Sequence, residues 1–66
     1  MITEIGIVAG EIWQHLDQKG ETMFSSMLSQ VGRNKDVMLM SMGWLAREGH
    51  IILNQEKDDY KVRLRR

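Results

Sequence analysis

The chain has 66 residues, 42% of them hydrophobic, with no cysteine, no proline and a formal charge of zero. That length makes one small domain, residues 1–66, which hides only about 60% of the surface its unfolded form exposes. Without cysteine it has neither disulfides nor thiolate metal sites, so a compact core or association with another chain is what remains to hold it together.

The charge is unevenly placed. Residues 1–31 carry Lys19 against Glu4, Glu11, Asp17 and Glu21, a balance of −3, and residues 32–66 carry eight bases against five acids, a balance of +3. Affinity for nucleic acid, if there is any, must lie in the second half. The opening MITEIGIVAG has an acid, no basic start and no long apolar run, so it does not read as a secretory signal. No stretch approaches the length of a membrane span. A cysteine-free composition is compatible with a reducing cytosol, and a cytoplasmic location is the expectation.

Thr3 suits the N-cap of a first helix, with Glu4 where the helix dipole favours an acid. Ile5, Val8, Ala9, Ile12 and Leu16 then form one apolar stripe, Trp13 lies at its margin, and Ile7 falls on the polar side. Gly20 ends this helix after Lys19. Glu21 to Phe24 suits a short strand. Ser25 or Ser26 is expected to cap a short second helix through Val31, with Met27, Leu28 and Val31 facing in and Gly32 as its stop.

Asn34 caps a third helix from about Lys35 to Glu48, stopped by Gly49. With Leu45 as its most buried residue, Met38, Ser41 and Met42 lie beside it. Asp36, Met40, Gly43 and Arg47 then face outward, Leu39 sits at their edge, and Trp44 and Val37 take the other flank. This helix is apolar almost all round, which calls for a second covering surface. The remainder reads as a hairpin, Ile51 to Glu56 and Tyr60 to Arg65, turning near Asp58-Asp59. The expected register sets Leu53 against Leu64, Asn54 against Arg63 and Glu56 against Lys61. Lys61, Arg63 and Arg65 then share the outer face while Val62 and Leu64 look inward.

Helix, short strand, short helix, turn, longer helix and hairpin resemble a winged helix-turn-helix domain, an α+β fold. Ser25 to Val31, the Gly32-Arg33 turn and the helix after Asn34 match its two-helix unit. GWLAREGHI, residues 43–51, resembles the end of the second helix of that unit leading into the wing strand. GEIWQHL in the first helix together with GWLAREG resembles a small bacterial family of stand-alone winged-helix proteins of unknown function. The resemblance implies that fold, and DNA binding by analogy. In DNA-binding members the third helix enters the major groove. The matching positions here, Asp36, Leu39, Met40, Gly43 and Arg47, offer one acid, one base and two apolar groups where a base reader offers Arg, Lys, Asn or Gln.

Two classes of partner follow. Leu39, Met40 and Trp44 on a Met-rich helix suit protein contact, most economically a homodimer. The alternative for these residues is a core role. Arg33, Lys35, Arg47, Lys61, Arg63 and Arg65 could meet DNA phosphates without sequence preference, chiefly through the hairpin. The alternative for them is a solvated strand face whose charges guard an edge. His15 and His50 stand alone as surface or capping histidines, and Ser25, Ser26 and Ser29 have no identifiable base. There is no phosphate loop, carboxylate pair or ligand cluster, so the expectation is a non-enzymatic binding module with no cofactor, metal or small-molecule substrate.

Overall fold

The computed structural model describes residues 2–66. The chain forms α1 (Ile2–Lys19), β1 (Thr22–Met23), α2 (Phe24–Val31), α3 (Lys35–Arg47), β2 (Ile51–Glu56) and β3 (Asp59–Leu64). The three strands make an antiparallel sheet in the order β1-β3-β2. The α+β class and the order of elements are those expected.

The core forms where the apolar stripes meet. Val8, Ala9, Ile12 and Leu16 of α1 pack with Phe24 and Met27 of α2, Met38, Met42 and Leu45 of α3, and Ile51, Val62 and Leu64 of the hairpin. Leu28, Val31 and Leu53 close its margin, and Ile5 is only half-buried. The one buried polar side chain among the described residues, Ser41, donates from Oγ to the Ile5 carbonyl at 3.2 Å. A hydroxyl at the α1–α3 contact is thus satisfied without water, as burial requires.

The helix ends follow the expected chemistry. The Asn34 side chain accepts from the Asp36 N–H at 2.8 Å, which fixes the start of α3. At its other end Gly49 takes the left-handed conformation at φ 78°. Its N–H reaches the Ala46 carbonyl, and the His50 N–H reaches back to that of Leu45 at 2.9 Å, a Schellman closure. Gly32 closes α2 in the same left-handed region.

Four expectations about the helices are corrected. Helix α1 already includes Thr3, which therefore lies in the first turn and is not its cap. Helix α2 starts at Phe24, and its N-cap Met23 offers no side-chain bond. Neither Ser25 nor Ser26 caps it, and Phe24 is a buried helical residue, not a strand residue, because the core takes its ring. Val37, placed on a flank, is buried, while Trp44 on that flank is exposed.

The hairpin turns at Lys57-Asp58, so Glu56 pairs with Asp59 and the register lies two residues from the one expected. Ile51 faces Leu64, Leu53 faces Val62, Ile52 faces Arg63 and Asn54 faces Lys61. Glu56 and Lys61 become diagonal neighbours, 3.7 Å apart. A two-residue slip keeps every side chain on its own face, so alternation alone cannot distinguish the two pairings. The tighter turn brings both Ile51 and Leu53 against buried partners, with Lys57 in the left-handed region at φ 56°.

Candidate functional site on the third helix and the hairpin

Helix α3 keeps one side in the core and presents the other. Met38, Ser41, Met42 and Leu45 are buried with Val37, and Asp36, Gly43 and Arg47 are exposed. Leu39, Met40 and Trp44 are 39%, 40% and 47% exposed. All three residues expected at a protein interface therefore lie on one helix and open to solvent. Added atoms at Gly43 would meet nothing within 4 Å, so the helix surface has a gap there.

Each flank of this face has an apolar hollow. On the hairpin side Leu39 joins Phe24, Leu28 and Tyr60 around a shallow cavity of about 470 Å³, with Lys35 and Asp58 at its margin. The Phe24 and Tyr60 rings meet edge to face at 6.5 Å. On the α1 side Trp44 borders a smaller hollow with Ile2, Ile5 and Gly6. The Trp44 ring also lies 6.3 Å from the His50 ring.

The bases are dispersed. Arg33 is turned back to α1, where its Nε and Nη2 donate to the two Glu11 oxygens at 2.8 and 2.6 Å. That hydrogen-bonded pair holds the Glu11 carboxyl below the usual carboxylate range and raises the Arg33 guanidinium. Lys61 lies near Glu56. Among the described residues Lys35, Arg47, Arg63 and Arg65 have no acidic partner within 4 Å. They are spread over both ends of α3 and the outer side of the hairpin. The Arg65 guanidinium leans toward Gly49, 3.3 Å from where a Cβ would stand.

A long-range clamp escapes sequence reasoning. Asp59, at the start of β3, accepts from the Ser25 backbone N–H at 3.2 Å and from the Ser25 hydroxyl. One free N–H of the first turn of α2, that of Ser25, is thus served by a carboxylate from the hairpin, which also suits the helix dipole. The Ser25 hydroxyl chiefly, then the N–H groups of Tyr60 and Ser25, hold the Asp59 carboxyl below the usual carboxylate range. A depressed carboxyl contributes stability that is present above its unfolded value and is lost as pH falls through the folded one. Wild-type melting temperature is therefore expected to fall as pH drops below about 4. Asp59→Asn should melt lower at neutral pH and show a shallower acid decline in a circular-dichroism series, with Glu11 keeping part of the slope. An unchanged acid decline would remove the clamp from the account.

His15 is half-buried, and its Nε2 has no hydrogen-bond partner among the described residues. No group of three or more potential metal-binding side chains occurs among those residues. None of their helices is long and apolar enough to cross a membrane.

A helix, a short strand, two more helices and a hairpin in this order define a winged helix-turn-helix protein. The chain matches the model of the winged helix-turn-helix domain family DUF2582 over residues 1–64, and it belongs to that family. It is similar to the uncharacterized protein MJ1608 of Methanocaldococcus jannaschii, 34% identical over 65 residues covering 94% of this chain and 91% of that protein. That relative is archaeal. No solved structure matches.

Proposed function

We propose that this chain is a non-enzymatic, cytoplasmic binding module that takes a protein partner on the outward face of α3, in the simplest case a second copy of itself. One observation carries the reading. The helix that reads bases in DNA-binding winged helices here exposes Leu39, Met40 and Trp44 around an open Gly43, with Asp36 and Arg47 as the flanking charges. Met and aromatic side chains are what protein interfaces gather, and base readers need a different set. Covering this face also serves a chain too small to gain much stability from its own core.

Sedimentation at micromolar concentration is expected to give twice the 7.7 kDa monomer mass. Met40→Glu should shift the species to monomer while the circular-dichroism spectrum stays helical. A wild type still monomeric at millimolar concentration would overturn association with a second copy.

A second reading, contact with DNA phosphates through the hairpin, draws on the unpaired Arg63 and Arg65. In the same preparation, binding to random duplex at about 50 mM salt that falls steeply as salt rises would favour it. Its loss in the Arg63→Glu, Arg65→Glu double variant would assign the contact to the hairpin, and no binding at that salt would remove it.

A further inference from the structure

The outward face of α3 is complementary to itself when a second α3 runs across it in the opposite direction. Asp36 and Arg47 are both exposed and lie about three turns apart, about 16 Å along the axis, which returns them to nearly the same line of the helix. Their midpoint falls between Ser41 and Met42, residues buried on the inward side, so a two-fold axis crossing outside that point meets only the exposed face. Rotation about such an axis sets Asp36 of each copy against Arg47 of the other, one ion pair at each end of the contact.

The apolar residues between those charges fall into the same arrangement. Leu39 of one copy arrives one residue, about 1.5 Å, from the height of Gly43 of the other, on the same flank of the two helices. The empty space at Gly43 can receive it as a hole receives a knob. On the opposite flank Met40 arrives one residue, about 1.5 Å, from the height of Trp44 of the second copy, which brings a thioether beside an aromatic ring. Both Met40 and Trp44 are open to solvent, and a second copy would cover them together. A helix-interior glycine costs its own helix stability, and among the described residues nothing lies within 4 Å of where its Cβ would stand. A close-packed neighbour gives that glycine a use.

Resting on the reading of α3 as a protein-docking face, we infer that the partner is a second copy seated antiparallel across α3, in the register that pairs Asp36 with Arg47 and inserts Leu39 at Gly43. The contact is isologous, so it closes on itself and stops at two chains. The apolar centre supplies most of the affinity. The end pairs set direction and register, the part that charge plays at interfaces.

Charge reversal tests this directly. Asp36→Arg places two arginines together at each end of the homodimer, and Arg47→Glu places two acids together there. Each variant alone is expected to weaken association at least about tenfold at about 50 mM salt, and less at higher salt, where exposed charges are screened. An equimolar mixture of the two restores both pairs in the heterodimer and should recover the wild-type sedimentation coefficient. Circular dichroism of each variant alone verifies folding, and recovery on mixing is itself proof against an unfolded variant. Wild type that sediments as a monomer overturns the docking reading with the register. Wild type that dimerises while neither reversal weakens it, or while the mixture fails to recover, overturns the antiparallel register and leaves the docking reading standing.

Discussion

Met38→Ala is expected to leave this protein mostly unfolded at 37 °C. The Met38 side chain is 0% exposed and stands in the core cluster that joins all three helices to the hairpin. Cutting a buried methionine to alanine removes its transfer free energy and leaves a cavity, together about 2–5 kcal/mol. A domain of this size rarely has more than about 3–5 kcal/mol in total, so one such change is comparable with the whole. In a thermal melt the midpoint should fall by more than about 10 °C, since each kcal/mol moves it by roughly 4–8 °C at this length. Met40→Ala, two positions along the same helix and 40% exposed, should move it by no more than a few degrees. If the two variants melt alike, Met38 is not where the core closes.

Gly49→Val is the second large effect. Gly49 ends α3 at φ 78°, and the next element is the first strand of the hairpin. An L-residue pays about 1–2 kcal/mol for the left-handed region, and a β-branched one is among the least suited to it. The new side chain would also begin 3.3 Å from the Arg65 guanidinium, which must move aside. Strain at this corner pulls on the Schellman closure and on the Arg65 N–H bond to the His50 carbonyl, so helix end and hairpin base loosen together. The melting midpoint is expected to drop by roughly 5–15 °C. Gly49→Asn, which tolerates that conformation better, should recover part of the loss. Equal losses in both variants would place the cost in crowding at Arg65 and not in the backbone.

What could be read in advance divides by the range of the interaction. The stripe Val8, Ala9, Ile12, Leu16 repeats at helical spacing and is buried. The Asn34 cap and the glycine stops act within a few residues, so their chemistry is visible locally. The outward phase of α3 follows from periodicity too, except at Val37, where packing against the rest of the fold covers a residue that lies off the central stripe. The beginning of α2 was not legible, because its cap comes from Asp59 in the hairpin and no local pattern announces a partner 34 positions away. The hairpin register was ambiguous for a related reason, since a shift of two leaves both faces unchanged. Arg33 looks like a free base in the sequence. Only the packing of α1 beside the α2–α3 turn shows it held by Glu11.

Both tryptophans lie outside the core, Trp13 at 38% and Trp44 at 47% exposure. Intrinsic fluorescence in this protein is therefore a surface signal. In the uncovered monomer both rings are partly exposed, so its emission should lie to the red of that from a core tryptophan. Trp44 in particular looks outward from α3, with His50 as a neighbouring ring. Its emission should shift to the blue when another molecule covers the helix, and should stay red if the same molecule binds elsewhere. An aromatic ring outside the core, Trp44, thus gives the protein a built-in optical probe of occupancy.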